Sequence, residues 1–113
     1  RPNIHIQDLV RVYLHFLKKP ELSSGCYNAG FENISILDIA KQVQEKVPSE
    51  VVITESNDPR SYRQNSDKLK ATGFEQKYFI KDAIDEIIEK YNSGELKDEA
   101  QCCNVKWMKH LKL

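Results

Sequence analysis

Arg1-Pro2-Asn3-Ile4-His5-Ile6-Gln7-Asp8 opens the chain, and Leu9-Val10-Arg11-Val12-Tyr13-Leu14-His15-Phe16-Leu17-Lys18 follows without a break. Asn3-Ile4-His5-Ile6 is strand-like. From Asp8 the apolar residues fall at helical period: Leu9, Tyr13 and Phe16 share one face, with Val10, Leu14 and Leu17 beside them. Asp8 can cap the first turn, and Pro20 stops the helix. A strand running straight into a broad amphipathic helix sets the pattern for the rest.

Working outward, Ser23-Ser24-Gly25 reads as a turn and Cys26-Tyr27-Asn28-Ala29 as a short strand closed by Gly30. Ser35 and Asp38 resemble a capping box, with Asp in place of the usual Glu. The helix they start buries Ile36, Ile39, Ala40, Val43 and Val47 and ends at Pro48. Val51-Val52-Ile53-Thr54 is β-branched throughout and reads as a buried strand. Residues 55–65 are polar and irregular. Ser66 can cap a short helix, Asp67 to Thr72, which Gly73 terminates. After a connector, a last helix runs from Ile80 to Ser93, with Ile80, Ala83, Ile84, Ile87, Ile88 and Tyr91 inward and Gly94 as its cap. These elements predict an α/β chain: a small mixed α+β lobe of about four helices and two to three short strands over residues 1–93. A charged tail, 94–113, follows, with Val105, Trp107 and Met108 as anchors. Two or three strands do not easily make a self-sufficient sheet, so the lobe is expected to rest on something larger.

The chain has 113 residues, one small domain's worth, and its 17 basic and 17 acidic side chains cancel. A general nucleic-acid binder shows a basic excess, which these totals lack. No apolar run approaches the roughly 20 residues of a membrane span, and no signal peptide opens the chain. Cys26, Cys102 and Cys103 are an odd count with two adjacent, which reads as reduced thiols and a cytoplasmic location. Cys-x-x-Cys and His-x-x-x-His spacings do not occur, so no metal is expected. The chain opens without Met inside a strand-like stretch, which reads as a piece of a larger protein.

The order of these pieces resembles the C-terminal half of the extended short-chain dehydrogenase/reductases that act on nucleotide sugars. Arg1 to Asp8 is similar to that family's Arg-x-x-(apolar)-His-Val-x-Asp segment. Tyr27-Asn28-Ala29-Gly30 resembles its Tyr-Asn-(Val/Ile)-Gly strand end, and Ser35-Ile36-Leu37-Asp38-Ile39-Ala40 its Ser-(apolar)-x-Glu-(apolar)-Ala helix start. Asp58-Pro59-Arg60-Ser61-Tyr62-Arg63, then Asp67-Lys68 and Leu69 to Phe74, resemble its lysine and Leu-Gly-aromatic element. The Ile-rich helix is the fifth match. The resemblance implies an NAD(P)-dependent epimerase, dehydratase or reductase whose N-terminal Rossmann domain carries the cofactor. It departs from the family in three places. There is no Gly-rich turn. No tyrosine has lysine four residues on. Where relatives carry Arg-x-Gly-Asp, this chain reads Glu55-Ser56-Asn57-Asp58. The chain alone is therefore expected to bind no cofactor and to be inactive, with no catalytic residue of its own.

The resemblance implies that Arg1 contacts a nucleotide-sugar diphosphate and that Asp58 accepts hydrogen bonds from nucleotide hydroxyls. Arginine suits the diphosphate because its planar fork donates two parallel hydrogen bonds. Arg60 could replace the arginine absent at Glu55, and Tyr62 and Arg63 complete the candidate substrate-binding set. An Asp58–Arg60 surface pair in an ordinary Asp-Pro turn is the plain alternative. His5, between two isoleucines, reads as structural. The expected partners are a nucleotide sugar, the Rossmann domain and, in the family manner, a second copy. Two other readings stand beside the enzyme part: a non-enzymatic interaction module docking through its amphipathic helices, and a regulatory ligand-binding domain.

Overall fold

A computed structural model describes residues 1–55 and 60–111. The elements run β1 (Pro2–Asn3), α1 (Ile6–Lys18), β2 (Glu32–Asn33), α2 (Ile36–Lys46), α3 (Asp67–Lys70), α4 (Ile80–Asn92), a 3-10 turn (Ala100–Cys102) and α5 (Asn104–His110). The small mixed lobe is as expected; the tail adds the fifth helix and the 3-10 turn.

β1 and β2 pair antiparallel, Pro2 opposite Asn33 and Asn3 opposite Glu32. Pro2 has no N–H to give, which keeps this ladder short. It is extended at both ends: Phe31 N donates to Asn3 O (2.9 Å), and Ile34 N donates to Arg1 O (3.1 Å). Cys26–Ala29 and Val51–Thr54, both expected as strands, form none. Val52 and Ile53 are 71% and 79% exposed, so the β-branched run has neither a neighbouring strand nor a core to enter.

α1 begins at Ile6, two residues before the expected start. Its N-cap is His5, whose Nδ1 accepts from Gln7 N (3.1 Å). Asp8 is not the cap but is fully buried inside the first turn. α1 also buries Val12, which packs with Leu69 and Phe74; Phe16, Tyr27, Phe31 and Ile4 close around them. Ile6, Val10, Tyr13, Leu14 and Leu17 remain exposed, so the apolar stripe is broader than the core covers.

Ser35 caps α2 as expected: its hydroxyl accepts from Asp38 N (3.0 Å). The Asp38 carboxylate in turn accepts a hydrogen bond from the Ser35 hydroxyl (2.6 Å), an arrangement that suits a side chain one methylene shorter than the usual Glu. Ser66 stands at the N-cap position of α3 as expected, but its side chain makes no capping hydrogen bond. Asn65 supplies one, its Oδ1 accepting from Asp67 N (2.7 Å). Gly94, at φ +77°, ends α4 as expected, in a conformation costly for a residue with a Cβ.

Four consecutive amides ahead of α4 are all taken by carboxylates. Asp8 Oδ2 accepts from Lys77 N (3.0 Å) and Tyr78 N (2.9 Å). Asp82 Oδ2 accepts from Phe79 N (2.8 Å), and Glu32 Oε2 from Ile80 N (2.7 Å). The irregular connector is thus fixed to α1, β2 and α4 together. α2 lies against α4, where Lys46 Nζ meets both oxygens of Asp85 (2.7 and 2.9 Å).

Candidate functional site

The segment 60–66 runs beside 28–33, joined by side chains in place of a backbone ladder. Asn33 Nδ2 donates to Gln64 O (3.0 Å) while its Oδ1 accepts from Gln64 N (2.9 Å). The buried Ser66 hydroxyl donates to Gly30 O (2.8 Å) and accepts from Gly30 N (3.0 Å). Asn28 Nδ2 donates to Asn65 O (3.1 Å). Gly30 is required here by close approach: a Cβ would stand 3.1 Å from Pro2 Cβ and closer still to the Gln64 amide. The Tyr-Asn-Ala-Gly stretch therefore serves as the rail on which the arginine-bearing loop is hung.

Along that rail the Arg1 guanidinium lies over the Tyr62 ring, 4.8 Å from its centroid. The ring holds the guanidinium by its π face. This contact joins two sequence-expected residues 61 positions apart. Arg60 is exposed. Asp58 lies outside the described residues. Arg63 lines a different cleft, of about 350 Å³, with Gly30, Phe31, Gln64 and Lys70.

Two residues of the resemblance act structurally. Lys68 Nζ donates to Cys26 O (2.9 Å) and sits 4.3 Å from the Tyr27 ring centroid. His5 is buried, stacked 5.0 Å from Tyr78, with Nε2 3.3 Å from Glu86 Oε2. Since its Nδ1 accepts from Gln7 N, the neutral ring carries its proton on Nε2, toward Glu86. A second cavity, of about 470 Å³, opens beside this pair. It is walled by Ile4, Ile6, Ala83, Ile87 and Leu96, and rimmed by the Lys90–Glu95 ion pair (2.6 Å). That pair's hydrogen bond, then its charge attraction, raises the Lys90 pKa and lowers that of Glu95.

Glu32 and Asn33, which hold the site's two sides together, were not singled out from sequence. Their partners lie 48 and 31 residues away, and nothing local marks them. The three cysteines are exposed free thiols, and no group of three or more potential metal ligands occurs among the described residues. Likewise no helix among them is long and apolar enough to cross a membrane.

The chain is similar to reductases. Two anthocyanidin reductases of Vitis vinifera, both of the (2S)-flavan-3-ol-forming kind, are 32% identical to it over 92 residues, and anthocyanidin reductase of Arabidopsis thaliana is 32% identical over 93. The matched part is 79% to 80% of this chain but 27% of each relative, so the chain spans about a quarter of their length. No family model and no solved structure matches it.

Proposed function

We propose that this chain is the substrate-binding portion of an NAD(P)-dependent extended short-chain dehydrogenase/reductase, and that its ligand is a nucleotide sugar. The likeness to three reductases over most of the chain supports the reductase part of the reading, and the nucleotide-sugar ligand is our proposal from the arginine chemistry of Arg1 and Arg60. In it, Arg1, steadied on Tyr62, and Arg60 hold the substrate diphosphate, and Asp58 orients the nucleotide ribose. NAD or NADP belongs to a Rossmann domain, which also supplies the catalytic residues, so the 113-residue chain alone is inactive. The setting is cytoplasmic, and two copies of the whole enzyme can pair.

Surface area supports a covering domain. A monomer of 13.1 kDa exposes roughly 6400 Å² by the usual scaling, whereas this chain exposes 9283 Å². The excess, roughly 3000 Å², is of the size buried in obligate interfaces. The bare α1 stripe is where the Rossmann domain would lie. The same stripe suits a docking module with no enzymatic role, and ligand binding separates the two.

The test is Arg60→Ala in the full-length parent. Loss of a charge-assisted contact costs about 1.5–3 kcal/mol, or on the order of 10- to 150-fold in affinity. Nucleotide-sugar binding should fall by that factor while NAD(P) affinity stays put, and Arg60→Lys should recover part of the loss. Unchanged nucleotide-sugar binding removes Arg60 from the site. A parent that binds no nucleotide sugar at all removes the substrate assignment.

A further inference from the structure

We propose that Arg63 and Lys70 form an anion-binding station of their own, built for a phosphate monoester or comparable dianion and separate from the Arg1–Tyr62 pair. The two cations line one cleft of about 350 Å³. Among the described residues neither side chain makes a hydrogen bond or ion pair, unlike those of Arg11, Lys46, Lys68 and Lys90. Two cations share this concave space with a single carboxylate, Asp67, so the cleft keeps a net positive charge that an anion between them would neutralise.

The cleft is also preorganised. Arg63 sits on the loop that Asn33 grips through both polar atoms of its side chain, reaching Gln64 N and O (2.9 and 3.0 Å). Lys70 sits on α3, which Ser66 fastens to Gly30 by its two hydrogen bonds (2.8 and 3.0 Å). Both cations are thus referred to the same short stretch of backbone, 30–33, and little ordering remains to be done when a ligand arrives. One carboxylate, Asp67, also lines the cleft, and it accepts from Asn65 Nδ2 (2.8 Å). Guanidinium and ammonium together favour a tetrahedral oxyanion, one group as a fork and the other as a point charge. The station rests on these contacts alone and does not depend on the reductase reading.

The experiment titrates the ¹⁵N-labelled 113-residue chain with inorganic phosphate at constant ionic strength, at a temperature and dilution where circular dichroism and sedimentation show it folded and monomeric, following the Arg63 Nε–Hε signal and the amides of residues 64–70. A saturable shift confined to this cleft is expected. Arg63→Gln or Lys70→Gln should weaken it about tenfold or more, and both sites are exposed enough for the fold to persist, as circular dichroism will show. A nucleoside diphosphate in a second titration identifies the source: competition with phosphate marks a nucleotide phosphoryl group, additive shifts a free phosphate monoester. Shifts that grow linearly without saturation, or that survive both substitutions, overturn the proposal.

Discussion

Asp8 has no exposed surface, and its carboxylate receives Lys77 N, Tyr78 N and the Arg11 guanidinium. Those partners come from α1 itself and from the connector about 70 residues later, so one side chain joins the two ends of the lobe. Asp8→Asn keeps the shape but removes the charge and turns one acceptor into a donor. The change should cost about 3 kcal/mol, since hydrogen bonds to charged groups are worth about 1.5–3 kcal/mol and a stranded buried amide adds to that. Urea denaturation measures it, and a loss below about 1 kcal/mol would show that Asp8 does not carry the junction. Arg1 and Tyr62 make the opposite case. Their chemistry was legible in sequence, but their meeting was not, because a cation–π contact across 61 residues leaves no local trace. Lys68 was legible only as part of a resemblance, and the structure gives it a carbonyl to hold.

The four longer expected elements formed where sequence placed them to within a few residues, because their signals are local: Ser35 with Asp38, Pro20, Gly73 and Gly94. Strands depend on distant partners. Val51–Thr54 has the composition of a buried strand and no neighbour to bury it, so propensity alone did not make one. At the C-terminal end of α4 the Lys90–Glu95 clip makes a pH prediction. Glu95 has its pKa lowered from 4.5, so its contribution is present above the ordinary value and is lost as pH falls through the depressed one. Lys90 has its pKa raised from 10.5, so its contribution holds below 10.5 and is lost as pH rises beyond. The clip should therefore hold between those limits. Carbon-detected titration should place the Glu95 midpoint below 4.5, and Lys90→Met should return it to the ordinary value; a midpoint unmoved by that substitution would disprove the coupling. At Gly30 the close approach of Pro2 predicts that Gly30→Ala costs about 1–3 kcal/mol, as overpacking does. A melting temperature equal to that of the parent sequence would contradict this.

At the scale of the whole molecule, a radius of gyration of 17.0 Å stands against roughly 13 Å for a compact domain of this length. Val12, Leu69, Phe74 and Ile84 are the buried hydrophobic residues described, a small core for so much chain. In isolation the chain should therefore self-associate through α1 or melt at low temperature with little cooperativity. Sedimentation and calorimetry across a dilution series test this, and a sharply melting monomer unaffected by dilution would mean that the α1 stripe needs no cover. The row of carboxylate-held amides from Lys77 to Ile80 has a separate consequence, in digestion. Lys77 lies in a connector with no regular structure, where trypsin would ordinarily cut first. A protease must draw the backbone into its own cleft, and here that means releasing Asp8, Glu32 and Asp82 together. Cleavage after Lys77 should be slow and should keep pace with global unfolding, whereas Lys97, in the exposed tail, should be cut early.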